Sequence, residues 1–259
     1  MAGDTSPPPD PVLPGSPGGP LWDPLAVPAA TVVVARDSPE GPEVLMLHRD
    51  KGLSFAGGMW VFPGGRIDAE DRSPEDPDDP EEALEVAARR AAVREAAEES
   101  GLVIDPDAIA RFSHWTPPPL QDKRFSTAFF VAPAVDAAIE IVIDDGEIRD
   151  HRWARPGDAI ALRDAGEITL APPTYITLLQ LDGHPSVADV MDATRAAPIE
   201  HFSTRVALHE GGWTAVYHGD AVYEEVGRAG GMAEVDLDAP GPRHRLQMSD
   251  TWAYIREGC

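Results

Sequence analysis

Residues 81–100 (EEALEVAARRAAVREAAEES) contain neither glycine nor proline, in a chain of 259 residues that holds 23 of the first and 27 of the second. Breakers at that density interrupt helices and central strands almost everywhere else, so one long helix has one place to form. Ala83, Leu84, Ala87, Ala88, Ala91 and Ala92 give it a small-residue face, and Gly101 supplies a C-terminal stop.

Around this helix the pattern is that of a mixed sheet. Residues 30–36 (ATVVVAR) and 43–49 (EVLMLHR), separated by turn chemistry, read as a hairpin, and residues 59–62 (MWVF) as a short third strand stopped by Pro63-Gly64-Gly65. Strands are expected at 110–115, 125–131 and 147–154, and helices at 156–164, 173–181 and 186–196. From Phe202 onward the chain becomes β-rich, with strands expected at 202–209, 213–218 and 245–254. Two segments stand outside this pattern. Residues 1–28 hold nine prolines, three acids and no base, and read as a disordered or extended tail. Residues 68–82 (DAEDRSPEDPDDPEE) hold nine acids, one arginine and three prolines, and read as a solvated loop. The expected organisation is a tail (1–28), an α+β domain (29–200, with the acidic loop inside it) and a β-rich C-terminal extension (201–259).

Charge limits the partners. With 45 acids against 21 bases the net charge is −24, and the only lysines are Lys51 and Lys123. Such a chain offers no footprint for a nucleic-acid polymer or an anionic membrane surface. The single cysteine, Cys259, excludes an intrachain disulfide and cysteine-based zinc clusters. Residues 1–10 carry no basic or apolar signal pattern, and no run approaches the roughly 18 apolar residues of a membrane span. The expectation is a soluble, cytoplasmic protein.

The end of the long helix is where chemistry is concentrated. Glu95, Glu98 and Glu99 stand at i, i+3 and i+4, so their carboxylates share one face. They also lie at the negative end of the helix dipole, where acids are disfavoured. A helix selected for stability alone would not place them there. Arg94 can reach Glu98 at i+4; the remaining negative charge suits a hard divalent cation with oxygen ligands, Mg²⁺ or Mn²⁺.

The string Arg94-Glu95-Ala96-Ala97-Glu98-Glu99-Ser100-Gly101-Leu102, preceded by a strand and by Gly65, resembles the signature of the Nudix hydrolases, G-x5-E-x7-R-E-U-x-E-E-x-G-U with U aliphatic. Gly65 to Arg94 spans 29 residues where the signature has 14, an insertion of 15. The position of the first signature glutamate falls on Asp71 counted forward from Gly65 and on Val86 counted back from Arg94, with Glu85 adjacent. The resemblance implies a Nudix-type α/β/α sandwich with a mixed β-sheet and a diphosphate-cleaving, metal-dependent activity. It implies Glu98 and Glu99 as metal ligands and Glu95 as a ligand or the group orienting the attacking water. Arg94 becomes a scaffold salt-bridge partner, and the backbone carbonyl near Gly65 can complete the coordination. Members often recruit an acid from outside the box; Glu147 is the candidate, with Asp144 and Asp145 competing.

Residues 53–68 (LSFAGGMWVFPGGRID), with the long insertion, look like the CoA diphosphatase branch of that family. Supporting strings are RFSTAFF (124–130), LAPPT (170–174) and HGDAVY (218–223). This implies hydrolysis of CoA or acyl-CoA to 3′,5′-ADP and (acyl-)4′-phosphopantetheine. Hydrolysis of ADP-ribose, dinucleotides or nucleoside triphosphates is an alternative, as is a non-catalytic nucleotide-binding regulator. The partner in every case is a small nucleotide diphosphate. Arg49, Arg66, Lys123 and Arg124 are candidate phosphate-binding cations, and Trp60, Trp115 and Phe125 candidate stacking partners for a base. His201, His209 and His218 read as ordinary strand or turn residues. The segment after Phe202 can serve as a substrate lid or as a homodimer contact.

Overall fold

Val32 and Val34 bury one face of the first strand, while Val33 and Ala35 bury the other. A strand apolar on both faces has to lie inside a sheet covered on both sides. The structure, a computed structural model, describes residues 21–53, 55–120, 123–135, 140–143, 146–210, 212–249 and 251–259. Residues 1–20 of the tail, together with Asp144 and Asp145, lie outside the described residues.

The elements in chain order begin with β1 (Val27–Ser38), β2 (Gly41–Arg49), β3 (Trp60–Val61) and β4 (Gly64–Arg66). A single 3-10 turn at Ala69–Asp71 leads to α1 (Pro80–Ser100), followed by β5 (Ala110–Thr116), β6 (Phe125–Pro133) and β7 (Ile148–Ala154). Then come α2 (Pro156–Asp164), α3 (Pro172–Leu181), α4 (Val187–Ala196), β8 (Glu200–Ser203), β9 (Arg205–His209) and β10 (Gly212–Val216). The chain closes with α5 (Tyr223–Arg228), β11 (Met232–Glu234), β12 (Arg243–Met248) and β13 (Trp252–Glu257).

The first sheet has the order β3-β2-β1-β6-β5-β8, with β4 added on β1 and β7 on β2. It is mixed: β1 runs parallel to β6 and antiparallel to β2, and β5 runs parallel to β8. The fold is therefore α+β, as expected. The alanine face of α1 (Ala87, Ala88, Ala91, Ala92, Ala96) lies on one side with Val32, Val34 and Phe130. Side chains of α3 and α4 cover the other side with Val33, Met46 and Val131. Small residues let α1 lie close to the sheet, which brings its last turn to the β4 backbone. Its ends are well made: Pro80 occupies the first turn, and the Asp79 side chain accepts from the Glu81 and Glu82 amides at 2.9 and 3.0 Å. Gly101 closes the helix in the left-handed conformation, φ 70°.

The second sheet has the order β11-β9-β10-β12-β13. Its inner face joins the same core as α3 and α4, through Ala215, Tyr217 and Leu246. A bidentate ion pair between Asp220 and Arg245, at 2.7 Å on both oxygens, is fully enclosed beneath it.

Four expectations are corrected. The run 202–209 is two strands: the chain leaves the first sheet after Ser203 and enters the second at Arg205. The run 245–254 is a hairpin, with Met248 opposite Trp252. Helix α5 falls where no helix was expected. The end of the 1–28 segment is packed, because Trp22 is 6% exposed and meets His114 edge-on at 4.6 Å. One large aromatic buries enough surface to order the residues around it.

Candidate active site

A cleft of about 460 Å³ opens between the β1–β4 ladder and the last turn of α1, and its walls include Arg49, Gly65, Arg66, Glu95, Glu98, Glu99, Lys123 and Glu147. Its floor depends on two glycines. Gly64 and Gly65 pair with Thr31 and Ala30, and a Cβ on Gly64 would come closer than 3.0 Å to the Ala30 carbonyl oxygen and the Thr31 hydroxyl. A Cβ on Gly65 would come closer than 3.0 Å to both carboxylate oxygens of Glu95. The absence of side chains is thus what lets the helix end reach the strand. There the Gly64 amide donates to Glu99 Oε2 at 2.9 Å.

Each glutamate has its own environment. Glu99 is 6% exposed, and burial pushes its carboxyl up to about 8, against the Gly64 amide and Arg49, which favour the charge. Glu95 is also raised by burial, opposed by its bond from Arg94. Glu98 is more open and pairs with Arg94 Nη1 at 3.0 Å, the i, i+4 contact expected from spacing.

Arg94 is the hub. It donates to Glu95 at 2.9 Å, to the Arg66 carbonyl at 3.2 Å, and to both oxygens of Asp71 at 3.0 and 2.9 Å. Asp71 is 3% exposed, and its bonds hold the Arg94 guanidinium well above the usual range. Asp71 therefore anchors Arg94 from the position of the first signature glutamate reached by counting forward from Gly65. The 15 extra residues lie after it. This corrects the reading of residues 68–82 as solvated loop throughout: Asp71 fixes Arg94, and Asp76 pairs with Arg90 at 2.7 Å. Glu85, the backward neighbour, turns to Arg111 instead.

The other candidates divide. Arg49 sits between Glu147 at 2.7 Å and Glu99 at 3.5 Å, so Glu147 faces the cleft through an arginine. Arg66 pairs with Asp68 at 2.8 Å on the rim. Arg124 is turned away from the carboxylates, holding Asp23 at 2.6 Å. Lys123 lies over the Phe125 ring at 5.3 Å, and Phe125 meets Phe55 at 5.0 Å. Phe125 lines the cleft, but Trp60 and Trp115 are core residues, 6% and 4% exposed. Trp115 stacks on Phe202 at 3.9 Å. Phe55 and Thr127 also line the cleft; they fall within the strings 53–68 and 124–130, neither of which singled them out.

Among the described residues no three acid, histidine or cysteine side chains converge on a point. Arginines and the Gly64 amide hold the carboxylates instead. The donor set nevertheless fits a hard divalent cation. It is all oxygen, and it contains a buried carboxyl, Glu99, faced by the Gly64 amide at 2.9 Å and by Arg49 at 3.5 Å.

Comparison with known proteins identifies the family. The family model of the NUDIX domain matches residues 26–172. The crystal structure of a NUDIX hydrolase from Alicyclobacillus acidocaldarius is 24% identical, with a TM-score of 0.57 over 67% of this chain and 98% of that one. The NUDIX domain of Shewanella oneidensis NrtR, solved in complex with ADP ribose, is 20% identical with a TM-score of 0.43, over 61% of this chain and 90% of that one.

Proposed function

Because the chain belongs to the NUDIX family and is a hydrolase of diphosphate bonds, we propose that it cleaves a diphosphate linkage of CoA or acyl-CoA, with Mg²⁺ or Mn²⁺ as the cofactor. Water adds across P–O–P: its oxygen bonds one phosphorus, the bridging oxygen leaves with the other, and the proton is passed to solvent. The products are 3′,5′-ADP and (acyl-)4′-phosphopantetheine. The observation that carries the reading is the Gly64–Gly65 backbone held directly against Glu95 and Glu99 at the head of the cleft. The CoA reading rests further on the strings at 53–68, 124–130, 170–174 and 218–223.

Glu98 and Glu99, with Glu95 and the Gly65 carbonyl, are the groups that would hold the cation. When bound it supplies positive charge to the diphosphate oxygens and acidifies a bound water. Glu95, desolvated and steadied by Arg94, would serve either as one of those ligands or as the group that orients the attacking water. Arg49 and Lys123 line the same cleft and offer charge to the phosphates, with Arg66 on the rim. Glu147 sets the position of Arg49. Arg94 and Asp71 act by positioning the helix end. No helix among the described residues is long and apolar enough to cross a membrane, which is compatible with the cytoplasmic location we assign. The second sheet remains available for a homodimer contact.

The experiment is a panel of CoA, acetyl-CoA, ADP-ribose, NADH, diadenosine polyphosphates and nucleoside triphosphates with Mg²⁺ and Mn²⁺. Release of 3′,5′-ADP is the expected result, with Glu98→Gln and Glu99→Gln each reduced at least about 100-fold. Turnover of another panel member in preference to CoA would overturn the substrate assignment. Full activity in both variants would overturn the metal assignment.

A further inference from the structure

Beside the carboxylate cleft lies a second cavity of about 580 Å³, open at one side and walled by residues of both sheets. Its first-sheet wall includes Phe62, Trp115 and Phe129, and its second-sheet wall includes Leu208 and Ala215. It is not a separate site, since Arg49, Phe55, Gly64, Lys123, Phe125 and Thr127 line both spaces. One end of the combined space is therefore carboxylate and cationic, and the other is hydrocarbon. Its size falls within the ~300–1,000 Å³ of small-molecule pockets.

The mouth adds an independent observation. Phe55, Leu120, Trp213 and Met232 are each exposed by 42–54% of their surface, and all four ring this one opening. They come from four separate stretches of chain. Scattered apolar residues on a surface need no explanation, but four converging on a single opening mark a place that something apolar covers. Continuity with the cleft says what that is. A molecule whose diphosphate lies against Arg49 and Lys123 has its attached group directed past Phe125 into the chamber.

Resting on the diphosphatase reading above, we propose that this chamber binds an uncharged hydrocarbon arm of the substrate. Trp213, Met232 and Leu208 of the second sheet then select amphipathic diphosphates over wholly polar ones. The extension thus supplies specificity, while the first sheet and α1 supply the cleavage site.

The test uses alkyl esters of ADP, with methyl, butyl and octyl chains, on the full chain with Mg²⁺. Each methylene that enters the chamber is expected to raise kcat/KM up to about fourfold, mainly through KM. Trp213→Ser and Met232→Ser, alone and combined, are expected to flatten that dependence. Ile199→Ser, an exposed apolar position that does not line the chamber, is expected to keep it. Equal kcat/KM for methyl and octyl esters would overturn the proposal, as would a chain-length slope unaltered in the double variant. If no diphosphate is cleaved at all, the diphosphatase reading fails on its own. Calorimetric Kd values then decide the chamber: tighter octyl than methyl binding supports it, and a ratio of one overturns it.

Discussion

Gly65 and Asp71 show how much of the site depends on single atoms. A Cβ at Gly65 has nowhere to go except into the Glu95 carboxylate. Gly65→Ala is expected to push the helix end away and lower kcat about 100-fold, the scale of an ångström-sized misplacement; steady-state kinetics at saturating Mg²⁺ checks this. Asp71→Ala would remove two of the bonds to Arg94, leaving it with Glu95, Glu98 and the Arg66 carbonyl, and is expected to destabilise the fold by about 1–3 kcal/mol. Urea unfolding measures it, and Asp71→Glu should recover most of the loss. The helix face Glu95, Glu98, Glu99 was legible because i, i+3, i+4 spacing is local. Asp71 was reachable by counting, yet its side chain is one methylene shorter than the signature's, so only its two bonds to Arg94 reveal its role. The Arg124–Asp23 pair joins residues 101 apart in sequence, and no local pattern announces such a contact.

At the scale of elements, the HGDAVY string acts in the second sheet rather than at the cleft. Gly219 takes φ 94°, and the next residue, Asp220, accepts from Arg245 and from the His244 and Val222 amides. Burial raises the Asp220 carboxyl, but Arg245 and the amides outweigh it and hold the value below the usual carboxylate range. Near pH 4 the unfolded chain therefore binds more protons than the folded one, so stability rises with pH there. The contribution is complete above the unfolded value of about 3.9 and is lost as pH falls through the folded one. Urea midpoints measured from pH 5 down to pH 2 should fall more steeply for the wild type than for Asp220→Asn, which starts from lower stability. The long helix was legible from its composition and caps. The division at Thr204 was not, because Ser203-Thr204-Arg205 carries no glycine or proline to mark where the backbone changes partners from β5 to β10.

Across the whole molecule the two sheets share one core. Trp115 of the first sheet stacks on Phe202, and Tyr217 of the second meets both edge-on, at 5.8 and 5.2 Å. His244 and Tyr254 extend the cluster, joined at 2.8 Å through the histidine Nε2 and the phenol oxygen. The structure thus ties residues 201–259 to the domain before them. Heating or urea is expected to give one transition, with tryptophan fluorescence and far-UV circular dichroism coinciding. Phe202→Ala, which removes a fully buried ring from the contact between sheets, should cost about 3–5 kcal/mol while keeping the transition single. Two separate transitions would show that the sheets fold independently. The strand pattern did indicate a β-rich C-terminal segment at 201–259; that it seals a shared core and a chamber depends on contacts between distant segments.

The acidic loop is tied to α1 twice, by Asp71 at Arg94 and by Asp76 at Arg90, one helical turn apart. Insertions at Pro77-Asp78, between Asp76 and the Asp79 cap, are therefore expected to leave the glutamates in place. The signature behaves as two clamped ends with a slack line between them. What such a chain has to preserve is a charge pairing, and a search built on fixed spacing will pass over relatives in which the slack has been paid out differently.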